Sequence, residues 1–374
     1  MEYTQLPKPF FALAPMDDVT DTVFRQMVAV TATPDLFFTE FVNVDGLMSV
    51  GRPNLLKKLR FDAGETQLIA QLWGLKPENF RHVAEQIADG SLARELGLPE
   101  GCNFVGVDLN MGCPAKSEVR NGACSALIRR ENWPLAHEII EATKEGLAGR
   151  LPLSVKTRVG FSVVDMEWFD FLLGHDLDML TVHGRTRKQM SKVPADWELI
   201  GQVCEKRDAL GVQTLIVGNG DVASREQGEA LAQKYGLDGI MIGRGIFHDP
   251  LVFAQKTKSQ TTQEDHLRVK PLDENNNADY LWGNVSSEEK IATHRHHIAF
   301  WEDCPSKNKT SLYRQHVELF ANTWQHSERP IQTLNKFCKM YIQGFDGAKE
   351  LREKLMNATS TDELLAILKN TELQ

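Results

Sequence analysis

Between residues 10 and 243, eight short apolar runs alternate with helix-like segments, and this alternation constrains the fold more than any other feature. The runs are 10–16, 36–41, 67–73, 104–110, 153–158, 179–183, 214–218 and 239–243. Stretches such as Ser154-Val155-Lys156 and Thr214-Leu215-Ile216-Val217 favour strands by β-branching and shortness. Helical periodicity lies between them, at 22–30, 77–88, 133–145 and 224–234 among others. Several of these segments carry start signals: Thr20 before the first, Lys76-Pro77 for the third, and Ser224 with Gln227 as a capping box. Eight βα units predict a (β/α)8 TIM barrel, with an open doubly wound sheet as the competing arrangement. The ends of the runs favour the barrel. Polar residues follow nearly every one: Met16-Asp17, Glu40, Gln71, Asn110 and Cys113, Lys156 and Arg158, His183 and Arg185, Asn219 and Asp221, Gly243 and Arg244. In a barrel those ends make one mouth, where such folds do chemistry.

The chain has 374 residues, enough for a second, smaller domain. Residues 256–289 are poor in apolar side chains and contain Asp273-Glu274-Asn275-Asn276-Asn277, the composition of a linker or exposed insertion. Amphipathic patterns follow at 291–300, 312–324, 331–342, 348–356 and 361–368, with Thr361 as the cap of the last. The expected organisation is therefore a barrel over 1–255, a linker over 256–289 and a small all-α domain over 290–374.

The net charge of −9 opposes loose nucleic-acid binding over the whole surface. The acidic excess lies in the first part, since residues 285–374 hold twelve Lys and Arg against twelve Asp and Glu. Five histidines also fall there (His294, His296, His297, His316 and His326) and are read as part of a solvated helical surface. No two of the six cysteines are spaced Cys-x-x-Cys, which disfavours zinc ribbons and iron–sulfur clusters, and no metal site is expected. Neither a signal peptide nor a membrane-spanning apolar segment is legible, so a cytoplasmic protein without membrane partners and without a disulfide framework is expected.

The chemistry concentrates at Val107-Asp108-Leu109-Asn110-Met111-Gly112-Cys113-Pro114-Ala115-Lys116. Pro114 cannot donate to a ladder, so the strand stops and Cys113 falls on a polar loop beside Asn110 and Lys116. A thiol in that setting is a reagent candidate, as nucleophile, acid or bystander. No histidine stands near it in sequence, and an ordinary thiol stays mostly protonated at neutral pH, which suits a proton donor. Gly218-Asn219-Gly220-Asp221 and Gly243-Arg244-Gly245 follow the seventh and eighth runs, where barrels frequently hold phosphate. Lys156 and Arg158 alternate in phase on the fifth run; an inward lysine calls for an anion or an electron-rich ring, or else snorkels from the strand end. Gln71 could read the edge of a flat heterocycle, or be a satisfied interior amide. His183-Gly184-Arg185-Thr186-Arg187 could read an anion or a base edge.

These residues resemble the ordered motifs of bacterial tRNA-dihydrouridine synthases. The resemblance is carried by Ala14-Pro15-Met16-Asp17-Asp18-Val19-Thr20-Asp21, the 110–116 loop, Val155-Lys156-Thr157-Arg158, 183–187, 218–221 and Gly243-Arg244, and more weakly by 341–352. It implies a flavin barrel followed by a helical tRNA-recognition domain. FMN would be held by Pro15, Met16, Asp17, Gln71, Lys156, His183, Asn219, Gly220, Asp221, Gly243 and Arg244. Asn110 and Arg185 would place the uracil. NADPH would reduce FMN, the flavin N5 would deliver hydride to C6, and Cys113 would protonate C5. The chain departs from the family pattern at Asp18 and Cys124, where glycine is usual, in a long 89–102 connection, and in the extra 256–289 segment. Two rival readings are an FMN-dependent barrel reducing a free pyrimidine or enone, and an RNA-binding barrel without turnover. The helical C-terminal part argues against the first, and the joint presence of Cys113, Lys156 and His183 against the second. A monomer is expected, because one tRNA must span both domains.

Overall fold

The computed structural model describes residues 3–255, 306–324 and 329–372. The expected linker and the 291–300 segment lie outside the described residues. Two compact units are present: Met1–Thr22, Pro34–Val222 and Gln227–Gly243 in the first, and Val23–Thr33, Ala223–Glu226 and Arg244–Gln374 in the second.

The first unit is a nearly closed parallel barrel. Its strands are β1 (Phe10–Leu13), β2 (Phe37–Phe38), β3 (Val42–Asn43), β4 (Leu68–Trp73), β5 (Gly106–Met111), β6 (Leu153–Arg158), β7 (Met179–His183), β8 (Leu215–Asn219) and β9 (Gly239–Ile242). They run in the order β1-β9-β8-β7-β6-β5-β4-β2, with β3 also on β4. The ring closes through a parallel bridge between Ala12 and Leu36. Leu13 N–H donates to the Leu36 carbonyl at 3.0 Å, and Leu36 N–H to that of Phe11 at 3.1 Å. β2 and β3 together form the second stave, of which the expected run 36–41 contains only β2. The break between them has a local cause. The Thr39 hydroxyl, in place of a backbone carbonyl, accepts the Gln71 N–H at 3.0 Å and interrupts the ladder.

Inward and outward side chains alternate, as the two-residue period of a strand requires. Phe10, Ala12, Leu36, Phe38, Ile69, Met179, Leu215, Val217 and Met241 form one buried apolar cluster within the ring. The same parity, continued up the strands, brings Gln71 (β4), Asp108 and Asn110 (β5), Ser154 and Lys156 (β6), Thr181 and His183 (β7) and Asn219 (β8) to the interior above it. Strand register ties them side by side: Gln71 to Asp108, Asn110 to Lys156, Lys156 to Thr181, and His183 to Asn219.

The helices Pro77–Ala88 and Trp133–Leu147 pack closely, and Gly146 sets their spacing. A Cβ on Gly146 would lie 2.2 Å from the Arg81 carbonyl oxygen and 3.0 Å from the Ala84 Cβ. Gly146→Ala must therefore push two helices apart and is expected to cost about 1–3 kcal/mol, read as a lowered urea midpoint.

The second unit buries aromatic rings. Phe24 stacks on Phe337 with ring centroids 4.8 Å apart and on Phe247 at 6.1 Å. The long helix Ser306–Thr323 places Tyr313 and His316 in this core. His316 corrects the expectation of a solvated histidine surface. It is buried, its ring packs at a tilt against Phe337 with centroids 4.6 Å apart, and burial pushes its pKa down to about 3. The neutral ring is thus a core residue. The last helix, Thr361–Glu372, is capped one residue earlier than expected: Ser360 Oγ accepts the Glu363 N–H at 3.2 Å. Among the described residues no helix is long and apolar enough to cross a membrane.

Candidate active site

The interior polar residues form one connected network that ends at the thiol loop. Asp108 lies fully buried at its base, where the Ser154 hydroxyl donates to Oδ1 at 2.6 Å and the Gln71 amide to Oδ2 at 2.7 Å. The Asn110 amide donates to Gln71 Oε1 at 3.1 Å. Asn110 Oδ1 then accepts the backbone N–H groups of Gly112 at 3.1 Å and Cys113 at 2.9 Å. Asn110 therefore shapes the turn that carries Cys113. At the end of the neighbouring strand β6, buried Arg158 holds the same turn by donating from Nε to the Gly112 carbonyl at 2.7 Å. Asp108 is absent from the sequence-based site set. A carboxylate inside an otherwise apolar strand is the signal that could have found it. Burial pushes its pKa up to about 6, against the hydrogen bonds from Ser154 and Gln71 and the charge of Lys156.

Lys156 stands beside Asn110, half-buried. Burial, reinforced by neighbouring Arg158, pushes its pKa down to about 8. On the adjacent strand Thr181 Oγ1 is buried without a hydrogen-bond partner. A cation held in the interior next to an orphaned hydroxyl suits an electron-rich, hydrogen-bonding ring.

Cys113 is half-buried, and its thiol hydrogen-bonds to that of Cys124. That bond, with a further one from the Ala115 N–H, pulls the Cys113 pKa down to about 7 despite burial, and pushes the Cys124 thiol up. The Ser125 N–H donates to the Cys113 carbonyl at 3.3 Å, which ties the two segments together. In the sequence Cys124 stands out only as a departure from glycine, and its contact with Cys113 carries no sequence signal. Both departures fall on left-handed backbone, with φ of 55° at Asp18 and 54° at Cys124, which explains why glycine suits these positions. Asp18 is secured there by its N–H donating to Glu40 at 2.7 Å.

Two strands along the ring, His183 ends β7 and Arg185 follows it. Arg185 is 3% exposed and held at all three nitrogens: its Nη2 pairs with Asp221, its Nε donates to the Val193 carbonyl at 2.6 Å, and its Nη1 lies 3.2 Å from His183 Nε2. A guanidinium can only donate, so His183 Nε2 accepts. Asp221, at φ 54°, also accepts the Ala195 N–H at 2.9 Å. Asn219 bridges strands by donating to the Met241 carbonyl at 2.8 Å. A Cβ on Gly220 (φ 136°) would strike the Ala195 Cβ at 2.5 Å, so this turn needs glycine for space as well as conformation.

Gly243 ends the barrel unit beside β1: a Cβ there would meet the Ala14 Cβ at 3.4 Å and Met16 Sδ at 3.9 Å. Pro15 leads directly into the Met16 turn, which closes by Met16 N–H donating to Thr20 Oγ1 at 3.0 Å. Asp17 forms an exposed ion pair with Lys58. Arg244 opens the 3-10 turn Arg244–Phe247 of the second unit.

The family model for dihydrouridine synthase (Dus) matches residues 12–318. The chain belongs to the dihydrouridine synthase family. Dihydrouridine synthases reduce a uridine, so the enzyme is an oxidoreductase. A "Probable tRNA-dihydrouridine synthase" of Staphylococcus aureus (strain COL) is 39% identical over 376 residues, covering 100% of this chain and 96% of the relative. A "Probable tRNA-dihydrouridine synthase 2" of Bacillus subtilis (strain 168) is 39% identical over 373 residues, covering 99% of this chain and 96% of the relative. Among solved structures, an old yellow enzyme homologue from Zymomonas mobilis matches with 14% identity and a TM-score of 0.41, covering 65% of this chain and 86% of that one.

Proposed function

We propose that this dihydrouridine synthase is a cytoplasmic, monomeric enzyme that acts on tRNA, with FMN in the barrel mouth and NADPH as the reductant. The observation that carries the reading is the shared inward parity of Gln71, Asn110, Lys156, His183 and Asn219, which gathers them at one strand-end mouth with Cys113 on the loop above. When bound and reduced, FMN supplies a hydride for C6 of the uracil.

The residues of the chain do the rest. The Lys156 cation would meet the flavin ring, in keeping with the half-buried ammonium beside an orphaned hydroxyl, and Gln71, fully buried and bonded to Asp108 and Asn110, would support that site from within the barrel. Pro15, Met16 and Asp17 border the cofactor, and Met16 lies next to Gly243. His183 contributes its ring, held in orientation by Arg185. Asn219, Gly220 and Asp221, with Gly243 and Arg244, take the ribityl phosphate end. Asn110 and Arg185 place the uracil: Asn110 through the turn it builds, Arg185 as a guanidinium held rigid by Asp221 and Val193. Cys113 donates its Sγ proton to C5. A base drawn out of folded RNA and laid against the flavin brings the reacting atoms within a short transfer distance.

The direct test is to incubate the purified protein with NADPH and unmodified tRNA and to map dihydrouridine. Formation at defined uridines supports the reading; reduction of free uracil or an enone without action on tRNA rejects it. The phosphate assignment has its own test. Arg244→Ala removes a charge-assisted contact and is expected to weaken FMN binding about 10- to 100-fold, read as flavin fluorescence released on dilution.

A further inference from the structure

A second constellation of ligating groups lies on the helices flanking the barrel, distinct from the strand-end mouth. His137 and Glu141 are four residues apart on the helix Trp133–Leu147, so they share one face. His175 follows the helix Glu167–Leu173. One ligand atom from each of the three falls within 4.8 Å of the others, and His137 Nδ1 lies 3.0 Å from His175 Nε2. We propose that His137, Glu141 and His175 bind a borderline transition-metal dication, with Zn2+ as the physiological case.

Four observations support this site. First, His175 is pre-oriented. Its Nδ1–H donates to the Phe171 carbonyl at 2.7 Å, which leaves the Nε2 lone pair directed at His137. A backbone carbonyl on the distal ring nitrogen is how metal-ligating histidines are usually held. Second, the ring is fixed by packing, edge-on to Phe171 with centroids 4.6 Å apart, and by Lys144, which donates to the His175 carbonyl. Third, His137 and Glu141 are exposed, so an ion from solvent can reach their ligand atoms. Fourth, Glu78, Glu138 and Glu145 line the groove that His137 and Glu141 share, and they attract a cation. Lys144 opposes this in part, since its Nζ is 3.9 Å from Glu141.

The donor set selects the metal. Two imidazoles and one carboxylate suit Zn2+, Co2+ or Ni2+, whereas Mg2+ and Ca2+ prefer oxygen-only shells. Three protein ligands leave one tetrahedral position, which water fills. Bound metal would clamp the helix Trp133–Leu147 to the segment after Leu173.

The test is calorimetric titration of the purified full-length protein with ZnCl2. One zinc site is expected, weakened at least about tenfold in both His137→Ala and Glu141→Gln. Both residues are exposed, so both variants are expected to fold, and circular dichroism checks this. A Cys113→Ser/Cys124→Ser variant is expected to keep the site, because no thiol takes part. No zinc binding by the parent protein, unchanged binding in the His137 and Glu141 variants, or loss confined to the cysteine variant would each overturn the assignment. None of these readouts depends on the activity toward tRNA.

Discussion

Replacing Cys113 by alanine is expected to slow dihydrouridine formation about 10²- to 10⁴-fold while leaving the flavin bound. The thiol sits on the loop above the interior polar network, and the groups proposed to hold FMN lie on other strands. Its loss removes the only proposed proton donor and one methylene-borne sulfur. The Asn110 Oδ1 bonds to the Gly112 and Cys113 backbone do not need the side chain, so the loop keeps its shape. The measurement is single-turnover dihydrouridine yield and rate with pre-reduced protein and unmodified tRNA, alongside flavin content. Retained flavin with slow reduction of uridine supports the acid role. An unchanged rate would remove Cys113 from it.

The pH profile gives the second large effect. Only the protonated thiol can donate, and the Cys113 pKa is pulled down to about 7. The single-turnover rate is therefore expected to fall about tenfold per pH unit above 7, and about a hundredfold by pH 9. Cys124→Gly removes the thiol that contributes most to this lowering. The fall should then move up toward the ordinary thiol value of 9. Glycine also relieves the left-handed backbone at φ 54°, so the variant should fold at least as well as the parent. Rates that stay flat from about pH 6 to 9 in the parent, or equal profiles for parent and variant, would reject this coupling.

Particular elements show how far the sequence could be read. The strands 153–158 and 179–183 and the helices 77–88 and 348–356 match the sequence reading to the residue. Each has an uninterrupted period, and Pro77 marks the start of one helix. The second stave is expected over 36–41, yet only Phe37–Phe38 of that run is a strand and Val42–Asn43 lies beyond it. It is split by the Thr39 hydroxyl, a single side-chain hydrogen bond without periodic signature. The helices Arg52–Leu59 and Trp197–Leu210 are expected only as unbounded helix-like segments between runs. The first is short and strongly basic, and the second has a weak apolar face in which tertiary burial of Ile200, Val203 and Cys204 decides the outcome.

Within the candidate site, the sequence by itself determined which residues could share the barrel interior. Strand parity is a local, covalent property, so once the strands are read Gln71, Asn110, Lys156, His183 and Asn219 must share a side. The family motifs added the chemistry expected there. The tertiary structure alone decided how those groups are engaged. It placed Asp108 at the root of the network, committed Arg185 to Asp221 and His183, and set Cys124 against Cys113. These are contacts between separate segments whose distances depend on the backbone path, and the shifts of charge at Cys113, Lys156 and Asp108 arise from burial and neighbours that exist only in the folded chain.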